Sequence, residues 1–167
     1  MVTGFPANGD ALVTERPGQI QRILRGQNQS QLYIKIDEVA PVGDGGLMGM
    51  ALHPQFKKYP FIYVLYSYQI DKALFNRVIR LRHHSDTAVF DRVILDKIPG
   101  AEVHIGGRIA FGPDGMLYVG TGDLWVQPIS QDLKSWAGKI LRITPNGQIP
   151  NDNPFPGSPI YSYGHRV

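Results

Sequence analysis

A histidine and an aspartate near the ends of predicted strands are the side chains of this sequence best suited to acid–base chemistry. His104 ends a loop and is followed by Gly106 and Gly107, which leave space for a ligand to approach the backbone. A neutral imidazole in that position can act as a general base. Asp123 lies one strand further along, and a carboxylate beside His104 would orient the imidazole and raise its basicity. From the pattern alone, an exposed loop histidine and a turn aspartate are the commoner interpretations.

Other polar residues are weaker candidates. Asp44 lies in a second glycine-rich loop, which precedes another predicted strand. Arg166 has a planar guanidinium that can bind a carboxylate ligand, although chain ends commonly fray. His83 and His84 follow a predicted strand with one carboxylate close by, which predicts an exposed turn and no metal site. Residues 151–154 offer oxygen ligands but lack the glycine and the distal glutamate of a calcium loop, so a turn is predicted there.

Short strands must position these residues, because strand signals dominate the chain. Apolar or alternating segments, most of them next to turn signals, predict strands at residues 11–15, 20–24, 61–66, 77–82, 116–119 and 139–143. Nineteen glycines and thirteen prolines among 167 residues support frequent turns. The one helical signal, at residues 130–136, predicts a single turn of helix.

Two glycine-led segments repeat along the chain. Residues 45–54 and 106–113 each read as two glycines, an apolar strand and a proline turn, and a strand with aromatic residues follows each. Residues 10–13 look like the end of an earlier copy. The period is on the order of 50–60 residues, which is the length of one blade of a β-propeller. A blade is a four-stranded antiparallel sheet set radially around a channel.

The predicted fold class is therefore all-β: about three blades, or half, of a six-bladed β-propeller, in one domain over residues 1–167. Three blades leave two end sheets without a neighbour, and apolar faces of that kind associate. Two ways of completing the ring are open, a homodimer and a missing C-terminal half. An irregular β-sandwich is the structural alternative, and repetition at blade length argues against it.

Composition excludes several classes of protein. Hydrophobic residues make up 43% of the chain and charged residues 19%, so it can bury a core. The net charge of +3 comes from scattered lysines and arginines, and we expect no nucleic-acid partner. The absence of cysteine excludes disulfides, thiolate zinc sites and a cysteine nucleophile. No apolar segment is long enough to span a bilayer, and the first residues lack the regions of a signal peptide, so no membrane partner is expected.

One long segment carries a family resemblance. Residues 104–123 read HIGGRIAFGPDGMLYVGTGD and resemble the glucose/sorbosone dehydrogenase family, soluble aldose dehydrogenases that use pyrroloquinoline quinone (PQQ). The likeness continues through residues 12–18, 45–54, 131–133, 137–142, 149–155 and 161–166. It covers nearly the whole chain, and it implies a six-bladed propeller of which this chain is the first half.

The resemblance implies a role for each candidate. The family's histidine at the position of His104 is the general base for the sugar's anomeric hydroxyl, and the aspartate matching Asp123 supports it. Arg166 matches an arginine that contacts the cofactor. Asp44 falls where relatives place glutamine or glutamate near the sugar and the quinone. The implied substrate is an aldose, the implied cofactors are PQQ and calcium, and the implied location is the periplasm or outside the cell.

Two departures from the family bear on function. Ile105 stands where relatives usually have asparagine, and the Asn-Pro-Gln-Gly that follows Gly-His-Arg in the family is absent from this sequence. The family's calcium-binding carbonyls, and most basic residues that hold the quinone, belong to the other half of the ring. Two functions are therefore predicted. One is a PQQ-dependent aldose dehydrogenase that makes a lactone once the ring is complete. The other is a non-catalytic half-propeller that binds a sugar or a protein and lacks PQQ and calcium.

Overall fold

Three four-stranded antiparallel sheets make up the fold in the computed structural model, which describes Thr3, Gly4, Pro6 and residues 9–166. Blade 1 consists of β1 (Thr3–Gly4), β2 (Ala11–Glu15), β3 (Gln19–Ile23) and β4 (Ser30–Lys35). Blade 2 consists of β5 (Leu47–Leu52), β6 (Phe61–Ile70), β7 (Ala73–His84) and β8 (Thr87–Pro99). Blade 3 consists of β9 (Gly106–Phe111), β10 (Leu117–Thr121), β11 (Lys139–Ile143) and β12 (Ile160–Tyr163). The predicted all-β half-propeller of three blades is confirmed.

The first strands of the blades lie side by side. β1 contacts β5 and β5 contacts β9, while the last strands β4 and β8 contact each other away from them. The backbone of Gly49 comes so close to that of Gly107 that a Cβ on Gly49 would lie 2.4 Å from the Gly107 carbonyl oxygen. The loops before β5 and β9 therefore meet at one end of the half ring. At the other end, the rings of His53 and Phe111 lie 5.6 Å apart.

Blade 2 is buried on both faces, and β6 shows this most clearly. Its side chains alternate: Val64 and Tyr66 pack toward blade 1, while Tyr63 and Leu65 pack toward blade 3. All four are at most 2% exposed. Neighbouring residues of a strand point to opposite faces of the sheet. When both faces are covered, apolar residues are favoured at every position and the usual alternation of apolar and polar residues disappears. This explains the unbroken apolar run that predicted β6.

Among the described residues, no further sheet covers the outward faces of blades 1 and 3. On blade 1, Leu32 is 56% exposed and pairs with Gln21 of the adjacent strand. On blade 3, Tyr118 and Tyr161 stack edge to face with ring centroids 5.4 Å apart, and Tyr161 is 43% exposed. Large apolar side chains are therefore left open to solvent on both end sheets.

The structure differs from the sequence predictions in its helical turn and in one loop. The described residues contain one 3-10 helix, Gln127–Gln131, which begins before the predicted helical turn at 130–136 and overlaps only its first two residues. No helix among the described residues is long and apolar enough to cross a membrane. His83 and His84, predicted to form an exposed turn, are instead the last residues of β7. Burial lowers the pKa of His83, whose Nδ1 hydrogen-bonds the Tyr33 hydroxyl.

Candidate active site

Two loops from different blades are joined through the backbone of His104. The His104 N–H donates to Asp44 Oδ2 at 3.1 Å, and the Asp44 N–H donates to the Glu102 carbonyl at 2.6 Å. The His104 carbonyl accepts from the Leu124 N–H at 3.0 Å. The φ angle of His104 is 52°, which lies in the left-handed region that residues other than glycine seldom adopt. Its imidazole position is therefore set by the loops before β5 and after β10 together.

The His104 imidazole and the Asp123 carboxylate are hydrogen-bonded. His104 Nδ1 lies 3.1 Å from Asp123 Oδ1, and the Asp123 side chain is only 2% exposed. An ionised carboxylate only accepts hydrogen bonds, so Nδ1 is the donor, and in a neutral imidazole Nε2 is then the nitrogen with the free lone pair. The imidazole is still 22% exposed. The hydrogen bond therefore fixes the orientation and the tautomer of a partly exposed imidazole.

Gly122 leaves the space that the His104 backbone occupies. A Cβ on Gly122 would lie 1.9 Å from the His104 carbonyl oxygen and 2.7 Å from the Gly106 nitrogen. Both are backbone atoms, which cannot rotate away as a side chain can. The absence of a side chain at Gly122 is thus a geometric requirement of the hydrogen-bonded pair.

A buried lysine supports the segment that follows Asp123. The Lys139 amine donates to the carbonyls of Ile129, Ser130 and Ala137 at 2.7–3.0 Å, and the whole residue is 0% exposed. Burial lowers the pKa of this amine. Thr121 adds a hydrogen bond from its hydroxyl to the Lys139 carbonyl at 3.1 Å. These bonds fix the 3-10 helix and its flanks to the end of β10, where the loop that carries Asp123 begins.

Arg166 and Trp125 complete the surroundings of the pair. Arg166 Nε lies 3.8 Å from Asp123 Oδ2, and its side chain is 54% exposed. Its guanidinium carbon lies 5.7 Å from the centre of the Trp125 ring. The Trp125 indole meets the His104 imidazole edge on, with ring centroids 4.4 Å apart. A cation therefore stands beside the Asp123 carboxylate, and an aromatic surface stands beside the His104 imidazole.

A cleft of about 250 Å³ lies at the same end of the half ring. Asp44, Met48, Gly107 and Arg108 contribute to its lining, together with Arg16. Arg16 donates to the carbonyls of Pro41 at 3.0 Å and Gly45 at 2.8 Å, and also to that of Gly43, so it shapes the loop that carries Asp44. The Arg108 side chain is exposed and makes no hydrogen bond or ion pair with any described residue. The cleft therefore offers a cation to a ligand within the same surface as the His104 loop.

A larger cavity of about 500 Å³ lies at the opposite end, between blades 2 and 3. Its lining includes His53, Phe61 and Arg80. Arg80 is already held by Asp91 at 2.7 Å and by Asn146 Oδ1 at 2.7 Å. None of the predicted site residues lines this cavity. Size alone therefore does not identify it as the reactive site.

A metal site is not built from acidic, histidine or cysteine side chains in the described ranges, where no cluster of three such groups occurs. The segment that offered calcium ligands serves another purpose. Asp152 Oδ1 and Asn153 Oδ1 accept hydrogen bonds from Arg142 at 2.8 and 2.9 Å. The Arg142 hydrogen bond lowers the pKa of Asp152. The turn predicted at 151–154 thus binds the side chain of Arg142 within blade 3.

The structure brings all four predicted site residues to one end of the half ring. His104 contacts Asp123 through its side chain and Asp44 through its backbone, and Arg166 lies at the edge of the group. Their catalytic and cofactor-binding roles remain predictions. Sequence reasoning did not assign Gly122 or Trp125 to this group. The glycine directly before Asp123 was a visible signal for the first, whereas no sequence signal links Trp125 to His104.

Comparison with known proteins supplies the family. The model of the Glucose / Sorbosone dehydrogenase family matches residues 2–167. The aldose sugar dehydrogenase YliI of Escherichia coli is 32% identical over 172 residues, which cover 97% of this chain and 46% of that protein.

Two solved structures are similar throughout this chain. The putative oxidoreductase (glucose dehydrogenase) of Thermus thermophilus is 44% identical with a TM-score of 0.91, over 98% of this chain and 50% of that one. The PQQ-bound aldose sugar dehydrogenase of Streptomyces coelicolor is 39% identical with a TM-score of 0.90, over the same shares. The chain thus spans about half the length of the relatives that it matches.

Proposed function

Because this chain belongs to the glucose/sorbosone dehydrogenase family, we propose that it supplies the proton-accepting half of a PQQ-dependent aldose dehydrogenase. The observation that carries the proposal is the hydrogen bond between His104 Nδ1 and the buried Asp123 carboxylate, at 3.1 Å. It leaves Nε2 as the acceptor of a proton. The substrate is an aldose and the product its lactone.

The chemistry assigned to the chain is removal of a proton from the sugar's anomeric hydroxyl. His104 Nε2 takes that proton as the anomeric C–H bond breaks and a C=O bond forms. The anomeric hydrogen leaves as a hydride, and PQQ, when bound, supplies the acceptor for it. The resulting imidazolium is stabilised by the Asp123 carboxylate, which is already oriented toward Nδ1. Asp44 holds the His104 backbone throughout.

The residues present fit part of the cofactor's chemistry. Arg166 and Arg108 are exposed guanidinium groups on the same end of the half ring, and both suit the quinone's carboxylates. Calcium is a different case. The described residues hold no acidic cluster for it, and the oxygens of Asp152 and Asn153 are engaged by Arg142. We therefore assign quinone contacts to this chain and no step to calcium, whose family ligands belong to the other half of the ring.

We further propose that a second set of blades completes the ring, either a second copy of this chain or a C-terminal half. The support is the pair of uncovered end sheets, with Leu32 on blade 1 and Tyr161 on blade 3 exposed. The half-length match to the relatives agrees with it. Exposed apolar faces of this kind mark interaction surfaces. As the resemblance implies, we place the protein in the periplasm or outside the cell.

The homodimer form of this proposal predicts a mass of about twice the 18.6 kDa of one chain in light scattering after gel filtration. Tyr161→Glu places a charge on the end face of blade 3 and is expected to shift the protein to the monomer. Ile70→Glu is the matched control, because Ile70 is 42% exposed at a hairpin away from the end face. A wild-type protein that stays monomeric at high concentration contradicts pairing between copies.

The second candidate function retains the propeller fold but includes no oxidation reaction. The chain covers only 50% of the PQQ-bound relative. That observation favours a non-catalytic half-propeller, which binds a sugar or a protein, for the chain without a completing partner. The two functions differ in a measurable way, because only the first requires PQQ to bind.

Added PQQ with calcium is expected to raise the melting temperature and to permit oxidation of glucose with an artificial electron acceptor. A ligand at 100 times its Kd stabilises the fold by about 2.7 kcal/mol, roughly 5–10 °C for a chain of this length. Arg166→Ala should reduce the PQQ-dependent shift, whereas Arg92→Ala on β8 should keep it. An unchanged melting temperature together with no turnover would remove the enzyme proposal and leave the binding module.

A further inference from the structure

A large aromatic side chain stands beside the proposed base without belonging to the core. Trp125 is 65% exposed, although its ring lies 4.4 Å from the His104 imidazole. The other tryptophan, Trp136, is partly buried and packs on the core between blades 2 and 3. Burial of apolar surface therefore explains the position of Trp136 and does not explain that of Trp125.

The backbone that presents Trp125 is strained. Leu124 and Trp125 both adopt left-handed conformations, with φ values of 55° and 62°. A bulky aromatic residue rarely occupies that region, and glycine or asparagine would do so at lower cost. Strain of this kind persists where the surrounding structure holds it, and it concentrates at ligand sites. The turn itself does not require an indole.

The same carboxylate positions both residues. Asp123 Oδ1 accepts from His104 Nδ1 at 3.1 Å and from the Trp125 backbone N–H at 3.2 Å. With Nδ1 facing Asp123, Nε2 of His104 points away from that carboxylate. The indole and the base are thus held by one carboxylate, which fixes where each ring stands relative to the other.

We propose that Trp125 is the aromatic platform on which the aldose ring lies while its anomeric hydroxyl meets His104 Nε2. A pyranose presents C–H bonds on its ring faces and hydroxyls at its rim. The electron-rich face of an indole attracts such C–H groups, while the rim hydroxyls stay free for polar partners. The inference rests on the proposed function, and it makes Trp125 a positioning residue for the substrate.

The test distinguishes the sugar from two other groups that would cover the indole face. A planar quinone would stack on it, and the proximity of Arg166, 5.7 Å from the ring, suits an anionic ligand there. A completing half of the ring would cover it with protein. The sugar is favoured because the Trp125 ring packs against the imidazole of His104, the proposed base. The Nε2 atom of that imidazole must reach a hydroxyl of the substrate.

The first experiment titrates cofactor-free protein with D-glucose and records saturation-transfer NMR of the sugar. The wild type is expected to transfer saturation to the sugar's ring C–H protons. Trp125→Ala should weaken the apparent affinity by about tenfold, and Trp125→Phe should retain most of it, because a smaller aromatic face remains. Trp136→Phe is the control, and it leaves Trp125 as the sole tryptophan fluorophore for a parallel emission titration.

The kinetic signature separates this role from that of the base. In the completed enzyme, Trp125→Ala should raise KM for the aldose about tenfold with kcat nearly unchanged, as expected for lost ground-state binding. Equal sugar affinity in wild type and Trp125→Ala, or no sugar signal in the wild type, would overturn the platform. So would quenching of Trp125 emission by PQQ but not by sugar, or a change in oligomeric mass in Trp125→Ala. Each of these leaves the dehydrogenase proposal standing if wild-type turnover persists, whereas absent turnover counts against that proposal.

Discussion

Replacing His104 with alanine is expected to lower kcat of the completed, PQQ-loaded enzyme by about 10²–10⁴-fold, the usual contribution of a positioned general base. The reason is specific to the site. Asp123 accepts a hydrogen bond from His104 Nδ1, so His104 Nε2 is the nitrogen proposed to accept the proton. Alanine at position 104 removes that nitrogen. Steady-state oxidation of an aldose with an artificial electron acceptor measures the change.

Two comparison variants make the His104 result interpretable. His84→Ala removes an exposed histidine at the end of β7 and should leave turnover unchanged. Asp123→Asn keeps the shape of the side chain but removes its charge, so it should lower kcat while His104 stays in place. Full turnover in His104→Ala, in protein that melts like the wild type, would show that another group accepts the proton.

Gly122→Ala is expected to remove most activity and to destabilise the fold by about 1–3 kcal/mol, the usual cost of overpacking a rigid site. The added methyl group would lie 1.9 Å from the His104 carbonyl oxygen, so the loop that carries His104 must move. A displacement near 1 Å at a catalytic group can cost about 10²-fold in rate. Urea denaturation and steady-state kinetics report the two effects separately.

The matched control lies two residues earlier in the chain. A Cβ on Gly120 would meet only the Arg108 carbonyl oxygen, at an ordinary contact distance of 3.7 Å. Gly120→Ala should therefore keep both stability and turnover close to those of the wild type. If Gly122→Ala behaved like Gly120→Ala in both measurements, the close approach of residue 122 to His104 would not govern the site.

The regular strands were predictable because their burial leaves a periodic trace. β11 spans the predicted residues, and β6 was found from an apolar run that reflects cover on both faces. The repeat of glycine pair, strand and proline turn predicted the blades because each blade places its first strand in an equivalent environment. Local pattern and global fold agree at these positions.

The elements that sequence reasoning missed lack such a trace. β8 (Thr87–Pro99) pairs with β7 through several register shifts, and each shift interrupts the alternation of buried and exposed residues. The helical turn was predicted at 130–136, but the 3-10 helix lies at Gln127–Gln131. Lys139 stabilises that helix from the next strand by donating to the Ile129 and Ser130 carbonyls. No local signal encodes those bonds.

The sequence by itself determined the all-β class, the repeating blades and the residue types able to carry acid–base chemistry. Only the tertiary structure decided that His104 and Asp123 share a hydrogen bond, that Asp44 holds the His104 backbone, and that Trp125 lies against the imidazole. The physical reason is one of range. Periodicity reflects the burial of neighbouring residues along one strand, whereas these contacts join loops that are distant in sequence, and in the case of Asp44 a loop of blade 2 with one of blade 3. Their geometry depends on a close backbone approach that Gly122 permits because it has no side chain.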